Sequence, residues 1–131
     1  MGQALYLDTS VVLAHLLAED RNPSSALWQQ ELYSSRLLEY ELWNRIHAYG
    51  LSESHAESVR DALGHINLIE LSPLVLERAL QPFPSPVRTL DALHLSTLNY
   101  LKGLLPDVQL ASYDSKICDL AKRWGIAHFE I

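Results

Sequence analysis

Four acidic residues stand where a carboxylate could do chemistry. Asp8 closes the apolar run Ala-Leu-Tyr-Leu at positions 4–7 and is followed by Thr9 and Ser10; Asp114 follows the strand-like segment Val108–Ala111 behind Ser112 and Tyr113. A helical pattern comes after each, and a helix N-terminus favours a negative group nearby. Asp91 falls in the first turn of another helix, and Glu41 sits inside a helix among Leu37, Leu38, Leu42 and Trp43. Each also has an ordinary reading: Asp8 and Asp114 as helix caps, Asp91 as a complement to the helix dipole, Glu41 as an ion pair with Arg45 at i+4. Two acids at equivalent strand ends go beyond that reading, because ligands of open α/β sheets gather past the carboxyl ends of strands where the strand order switches. Carboxylates gathered with no counter-charge repel and raise one another's pKa. A hard divalent cation takes oxygen ligands, and Mg²⁺ usually keeps its waters beside one or two carboxylates. Such a cluster makes sense as a cation trap.

The elements that must position these acids follow from periodicity and caps. We read a strand over Ala4–Leu7, a capping turn at Thr9-Ser10 leading into a helix over Val11–Leu17, and a helix starting at Asn22-Pro23 that runs through Leu27, Trp28 and Glu31 towards Tyr33. Ser34-Ser35 breaks the pattern; a helix follows over about 37–49, ended by Gly50, and Ser52 caps the next, to Gly64. Residues 66–71 read as a strand, and Ser72-Pro73 opens a short helix to about Leu80. Pro82, Pro84 and Pro86 make 81–87 an extended loop. Thr89 caps a helix closed by Gly103, a strand covers 108–111, a helix 115–124 ends at Gly125, and 127–131 is a last strand. Strands alternating with helices predict an α/β three-layer sandwich, with a short, mainly parallel central sheet flanked by helices. With no repeat or linker, 1–131 is expected to be one domain.

Composition narrows the function. Of 131 residues 48% are hydrophobic and 20% charged, the mix of a soluble globule. Apolar stretches such as 11–14 fall far short of the roughly 18 residues a membrane span needs. No export signal opens the sequence, so the cytoplasm is the expected compartment. Cys118 is the only cysteine, which excludes an intramolecular disulfide and argues against a cysteine-based zinc site. The net charge of −6 does not suggest a basic nucleic-acid surface, whereas surplus acid at one point inverts its local field once a cation binds. There is no G-x-S-x-G elbow, no glycine-rich phosphate loop, and no second Asp after Asp8-Thr9-Ser10 for an aspartyl-phosphate enzyme.

The segments around the acids resemble a known family. Tyr6-Leu7-Asp8-Thr9-Ser10 is similar to the opening of a PIN domain, and Leu37-Leu38-Glu39-Tyr40-Glu41-Leu42 to its second motif. Arg88-Thr89-Leu90-Asp91-Ala92-Leu93-His94-Leu95 resembles the third motif of VapC-type toxins, and Ala111-Ser112-Tyr113-Asp114, with Ala121 and Gly125, the fourth. The ordered set spans nearly the whole chain. The resemblance implies a Mg²⁺- or Mn²⁺-dependent ribonuclease, the toxin of a type II toxin–antitoxin pair, with Asp8, Glu41, Asp91 and Asp114 as its acidic quartet. It also implies a small VapB-like antitoxin whose tail covers the acids, and RNA as substrate. On this reading Asp8 and Asp91 are the main metal ligands, and Glu41 and Asp114 serve a second ion or its waters. Glu39 and Glu41 point in different directions on a helix, and the apolar setting favours Glu41. The chemistry is coherent without the family name: metal-activated water can cleave a phosphodiester whose attacking and leaving oxygens are stabilised by one or two ions.

Other residues are read conservatively. Ser10 and Ser112 are expected to be ordinary caps, and His94 a packed or supporting histidine. Arg36, Arg45, Arg88, Lys116, Lys122 and Arg123 are candidates for an RNA-guiding groove. Trp28, Leu32, Tyr33 and Trp43 are candidates for a homodimer face. The rival functions are a non-cleaving PIN-fold module that binds RNA or protein, and a metal-dependent nuclease or phosphatase acting on another phosphoester.

Overall fold

The computed structural model describes residues 2–19 and 22–131. Along the chain run β1 (Ala4–Leu7), α1 (Thr9–Leu16), a 3-10 turn (Ser25–Gln29), β2 (Glu31–Ser35), α2 (Arg36–Ala48), α3 (Ser52–Gly64), β3 (Ile66–Ile69), α4 (Pro73–Ala79), α5 (Thr89–Leu104), β4 (Gln109–Ala111) and α6 (Ser115–Arg123). The four strands form one parallel sheet in the order β3-β2-β1-β4. From β1 the chain builds β2 and β3 on one side and then returns to place β4 on the other. The order therefore switches between β1 and β4, the place where α/β sheets offer their carboxyl ends to ligands.

The alternation of β1 separates the two cores. Leu5 and Leu7 pack with Val11, Val12, Leu38, Leu42, Ile46 and Val59, from α1, α2 and α3. Tyr6 faces the other way, onto Leu95, Leu98 and Leu101 of α5 and Ile117, Leu120 and Ala121 of α6. Short α4 packs against α5. Three layers result, with β1 covered on both faces, which is why 4–7 is uniformly apolar. Each fully buried leucine contributes roughly 1.5–3 kcal/mol. Among the described residues no helix is long and apolar enough to cross a membrane.

Several expectations change. The helix expected from Asn22-Pro23 towards Tyr33 is a 3-10 turn followed by strand β2. Tertiary pairing overrides local signals here, because β2 is an interior strand with β1 on one side and β3 on the other. The expected final strand over 127–131 reduces to one bridge, Leu110 to His128. Arg88 and Leu51, not Thr89 and Ser52, occupy the cap positions of α5 and α3. Trp28, Leu32, Tyr33 and Trp43 do not share a surface. Leu32 is buried, the two tryptophans lean on the α1–α3 core, and Tyr33 lies on the opposite side of the sheet. The four therefore do not form the single continuous face expected of them.

Candidate active site

Asp8 begins where β1 ends. Its backbone N–H donates to Ala111 O at 3.0 Å, continuing the pairing of β1 with β4 by one residue. That register brings Ser112 beside it. Although Asp8 occupies the N-cap position of α1, its side chain makes no cap hydrogen bond. Oδ2 instead accepts from Ser10 Oγ at 2.8 Å and from Ser112 Oγ at 2.9 Å. The cap reading of Asp8, and that of the two serines as plain caps, therefore gives way to a carboxylate clamped by two hydroxyls. Asp8 is only 8% exposed, so those bonds carry much of the cost of burying it.

Asp114 does cap. Oδ1 accepts from Lys116 N and Ile117 N at the start of α6, while its own N–H donates to Ser112 Oγ at 2.9 Å. Asp91, in the first turn of α5, receives no hydrogen bond among the described residues. Burial first, then the charges of Asp114 and Asp8, push its carboxyl above the usual aspartate range, against the opposing pull of His94 and Lys116. Asp8, Asp91 and Asp114 thus share one electrostatic neighbourhood at the ends of β1 and β4.

Glu41 enters from α2. The expected ion pair with Arg45 is not formed; Oε1 accepts from Thr9 Oγ1 at 2.7 Å and from His94 Nε2 at 2.6 Å. Burial alone would raise this carboxyl, but the His94 hydrogen bond and charge, the Thr9 hydroxyl and the more distant charge of Arg45 hold it below the usual glutamate range. Glu39 instead pairs with Arg36 at 3.6 Å on the surface, which settles the direction of the two glutamates. Glu41 and Asp8 line one cleft of about 390 Å³ with Ser10, Tyr40, Asn44 and Arg45; Asp91 and Asp114 lie outside its walls. Asp8 is the acid common to both groups.

Among the described residues no three His, Cys, Asp or Glu side chains already close around one point as a metal cage. The donor set nevertheless fits a hard cation. It consists of carboxylate oxygens, it accumulates negative charge at Asp91, and Mg²⁺ needs only one or two carboxylates with its waters. Asp8, Glu41 and Asp114 each have one oxygen engaged by the protein and no donor on the other among the described residues. Of the expected groove cations, Arg36 is committed to Glu70 and Glu39, whereas Arg45 lines the cleft and the charge of Lys116 acts on Asp91. His94 is the packed, supporting histidine expected from the sequence. It lies 4% exposed on the apolar stripe of α5, and a buried imidazole requires polar partners.

Comparison with known proteins supplies the lineage. The PIN domain profile matches residues 5–123. This chain belongs to the PIN-domain family. It is 32% identical over 127 residues to Ribonuclease VapC46 of Mycobacterium tuberculosis, with 95% of each chain covered. It is 28% identical over 129 residues to Ribonuclease VapC35 of the same organism, covering 94% of this chain and 93% of that one. In structure it resembles a chain of a toxin–antitoxin complex from Klebsiella pneumoniae, with a TM-score of 0.68 and 24% identity, over 98% of this chain and 100% of the other. The PIN match includes all four acids and the β1–β4 switch point where Asp8 and Asp114 stand.

Proposed function

We propose that this PIN domain is an endoribonuclease that cuts RNA phosphodiester bonds with Mg²⁺ or Mn²⁺, and that it is the toxin of a toxin–antitoxin pair acting in the cytoplasm. The observation that carries the reading is the tie of Asp8 to Asp114 through Ser112 at the strand switch, with Asp91 close enough for both charges to raise its carboxyl and Glu41 lining one cleft with Asp8. Two relatives named as ribonucleases, similar over nearly their whole length, support it.

Asp8 and Asp91 would be the main cation ligands, with Glu41 and Asp114 holding a second ion or its waters. When bound, the cation would activate a water and offset negative charge developing on the scissile phosphate. The chain's own work is orientation. Ser10 and Ser112 fix Asp8, the first turn of α6 fixes Asp114, and Thr9 with His94 fixes Glu41. Lys116, whose charge acts on Asp91, and Arg45, which lines the cleft, would meet the phosphate backbone. The partner would be a small antitoxin covering the acids, with an arginine set among them in place of the cation. A module that binds RNA without cutting has no use for four such acids.

The test is incubation of the purified protein with cellular RNA, with and without Mg²⁺ or Mn²⁺, followed by mapping of new ends. Discrete, metal-dependent ends support the reading, and intact RNA under every metal contradicts it.

A further inference from the structure

His94 follows Asp91 by three residues on α5, yet its ring is turned into the protein and held at both nitrogens. Nε2 lies 2.6 Å from Glu41 Oε1 and 3.2 Å from Thr9 Oγ1; Nδ1 lies 2.7 Å from Tyr6 Oη. An ionised carboxylate only accepts, so Nε2 must carry the hydrogen of the Glu41 bond. Tyr6 comes from the centre of β1, is 1% exposed, and meets the imidazole edge-on with ring centroids 6.0 Å apart. Contacts at both nitrogens stop the ring from flipping. Four elements therefore meet at one imidazole: β1 through Tyr6, α1 through Thr9, α2 through Glu41, and α5 through His94 itself.

The two donors to Glu41, Thr9 Oγ1 and His94 Nε2, converge on the same oxygen, Oε1. Among the described residues no donor reaches Oε2. We propose that His94, braced by Tyr6, is a positioning residue that makes Glu41 a one-oxygen ligand, committing Oε1 to the protein and presenting Oε2 to a divalent cation or its waters. Because His94 and Asp91 share one turn of α5, the same bond also sets the separation of Asp91 from Glu41. The inference rests on the metal-dependent reading above. Partners that orient metal ligands are worth about 10–100-fold in metal affinity.

The experiment titrates Mn²⁺ into the purified full chain and follows free Mn²⁺ by electron paramagnetic resonance, with thermal melts to confirm folding. His94→Leu removes the donor and is expected to weaken Mn²⁺ binding about 10–100-fold. His94→Gln, whose side-chain amide reaches towards the position of Nε2, is expected to recover most of that loss. Thr9→Val and Tyr6→Phe are expected to give smaller losses. His94→Leu binding Mn²⁺ as wild type does, or His94→Gln binding as weakly as His94→Leu, overturns the proposal. Should His94→Leu fail to fold, Thr9→Val and Tyr6→Phe decide, and unchanged affinity in both overturns it. Wild type that binds Mn²⁺ but cuts no RNA overturns only the ribonuclease reading. Wild type that binds no Mn²⁺ overturns both.

Discussion

Ser112 Oγ donates to Asp8 Oδ2 at 2.9 Å across 104 residues of sequence, and the same oxygen accepts from Asp114 N. One hydroxyl thus ties the end of β1 to the end of β4 and sets two acids in register. Ser112→Ala leaves the Asp114 N–H without this partner and Asp8 Oδ2 with Ser10 alone. Leaving a buried donor unpaired costs roughly 1–3 kcal/mol, and loosening a metal ligand costs about 10–100-fold in activity. Urea unfolding and single-turnover RNA cleavage measure the two losses. Ser10→Ala, which leaves Ser112 in place, should lose less on both.

Asp91 should trade stability for function. Burial, then Asp114 and Asp8, raise its pKa in the folded chain, so its contribution is fully present below the usual aspartate range and is lost as pH rises through the folded value. At neutral pH the ionised, metal-free side chain is a cost. Asp91→Asn should therefore melt slightly higher than wild type in EDTA, by a few tenths of a kcal/mol once solvent screening of this partly exposed group is allowed for, while abolishing cleavage. For the same reason Mn²⁺ affinity of the wild type should fall as pH drops towards Asp91's raised pKa, where protons compete for it.

Glu41 has the opposite sign. Its folded pKa is lowered despite burial, so its contribution is present above the usual glutamate range and lost as pH falls through the folded value. Glu41→Gln should be less stable than wild type by about 1 kcal/mol at pH 7, and the difference should shrink on acidification. Thermal melts across pH 3–8 (roughly the range that spans carboxylate titration) give the curve.

Leu32 tests the strand that replaced the expected helix. It pairs with Leu5 on one side and Ile66 on the other and is 2% exposed. Leu32→Ala should cost about 2–5 kcal/mol, as for other buried leucines. A surface helix position would lose far less, so denaturant unfolding separates the two.

What the sequence carried was local. The apolar run 4–7 ending at Asp8, the three prolines before α5, and Gly50 with its positive φ of 69° after α2 each announce a boundary without help from distant residues. β2 was not legible because its pairing depends on β1 and β3, and two of its buried positions are Ser34 and Ser35, which mimic a break in a hydrophobic pattern. The acids were legible by type and place, whereas their second oxygens were not. The partners that hold Asp8, Glu41 and His94 lie as far as 104, 53 and 88 residues away. A histidine on an apolar helix stripe was the available signal for the last of these.

The central claim is tested most directly by titrating Mg²⁺ and Mn²⁺ into RNA cleavage assays of wild type and Asp8→Asn, each first stripped with EDTA. Wild type should be silent without metal and regain cleavage as either ion is added, and folded Asp8→Asn should stay silent throughout. Cleavage by stripped wild type, or an undiminished metal response in Asp8→Asn, would contradict it.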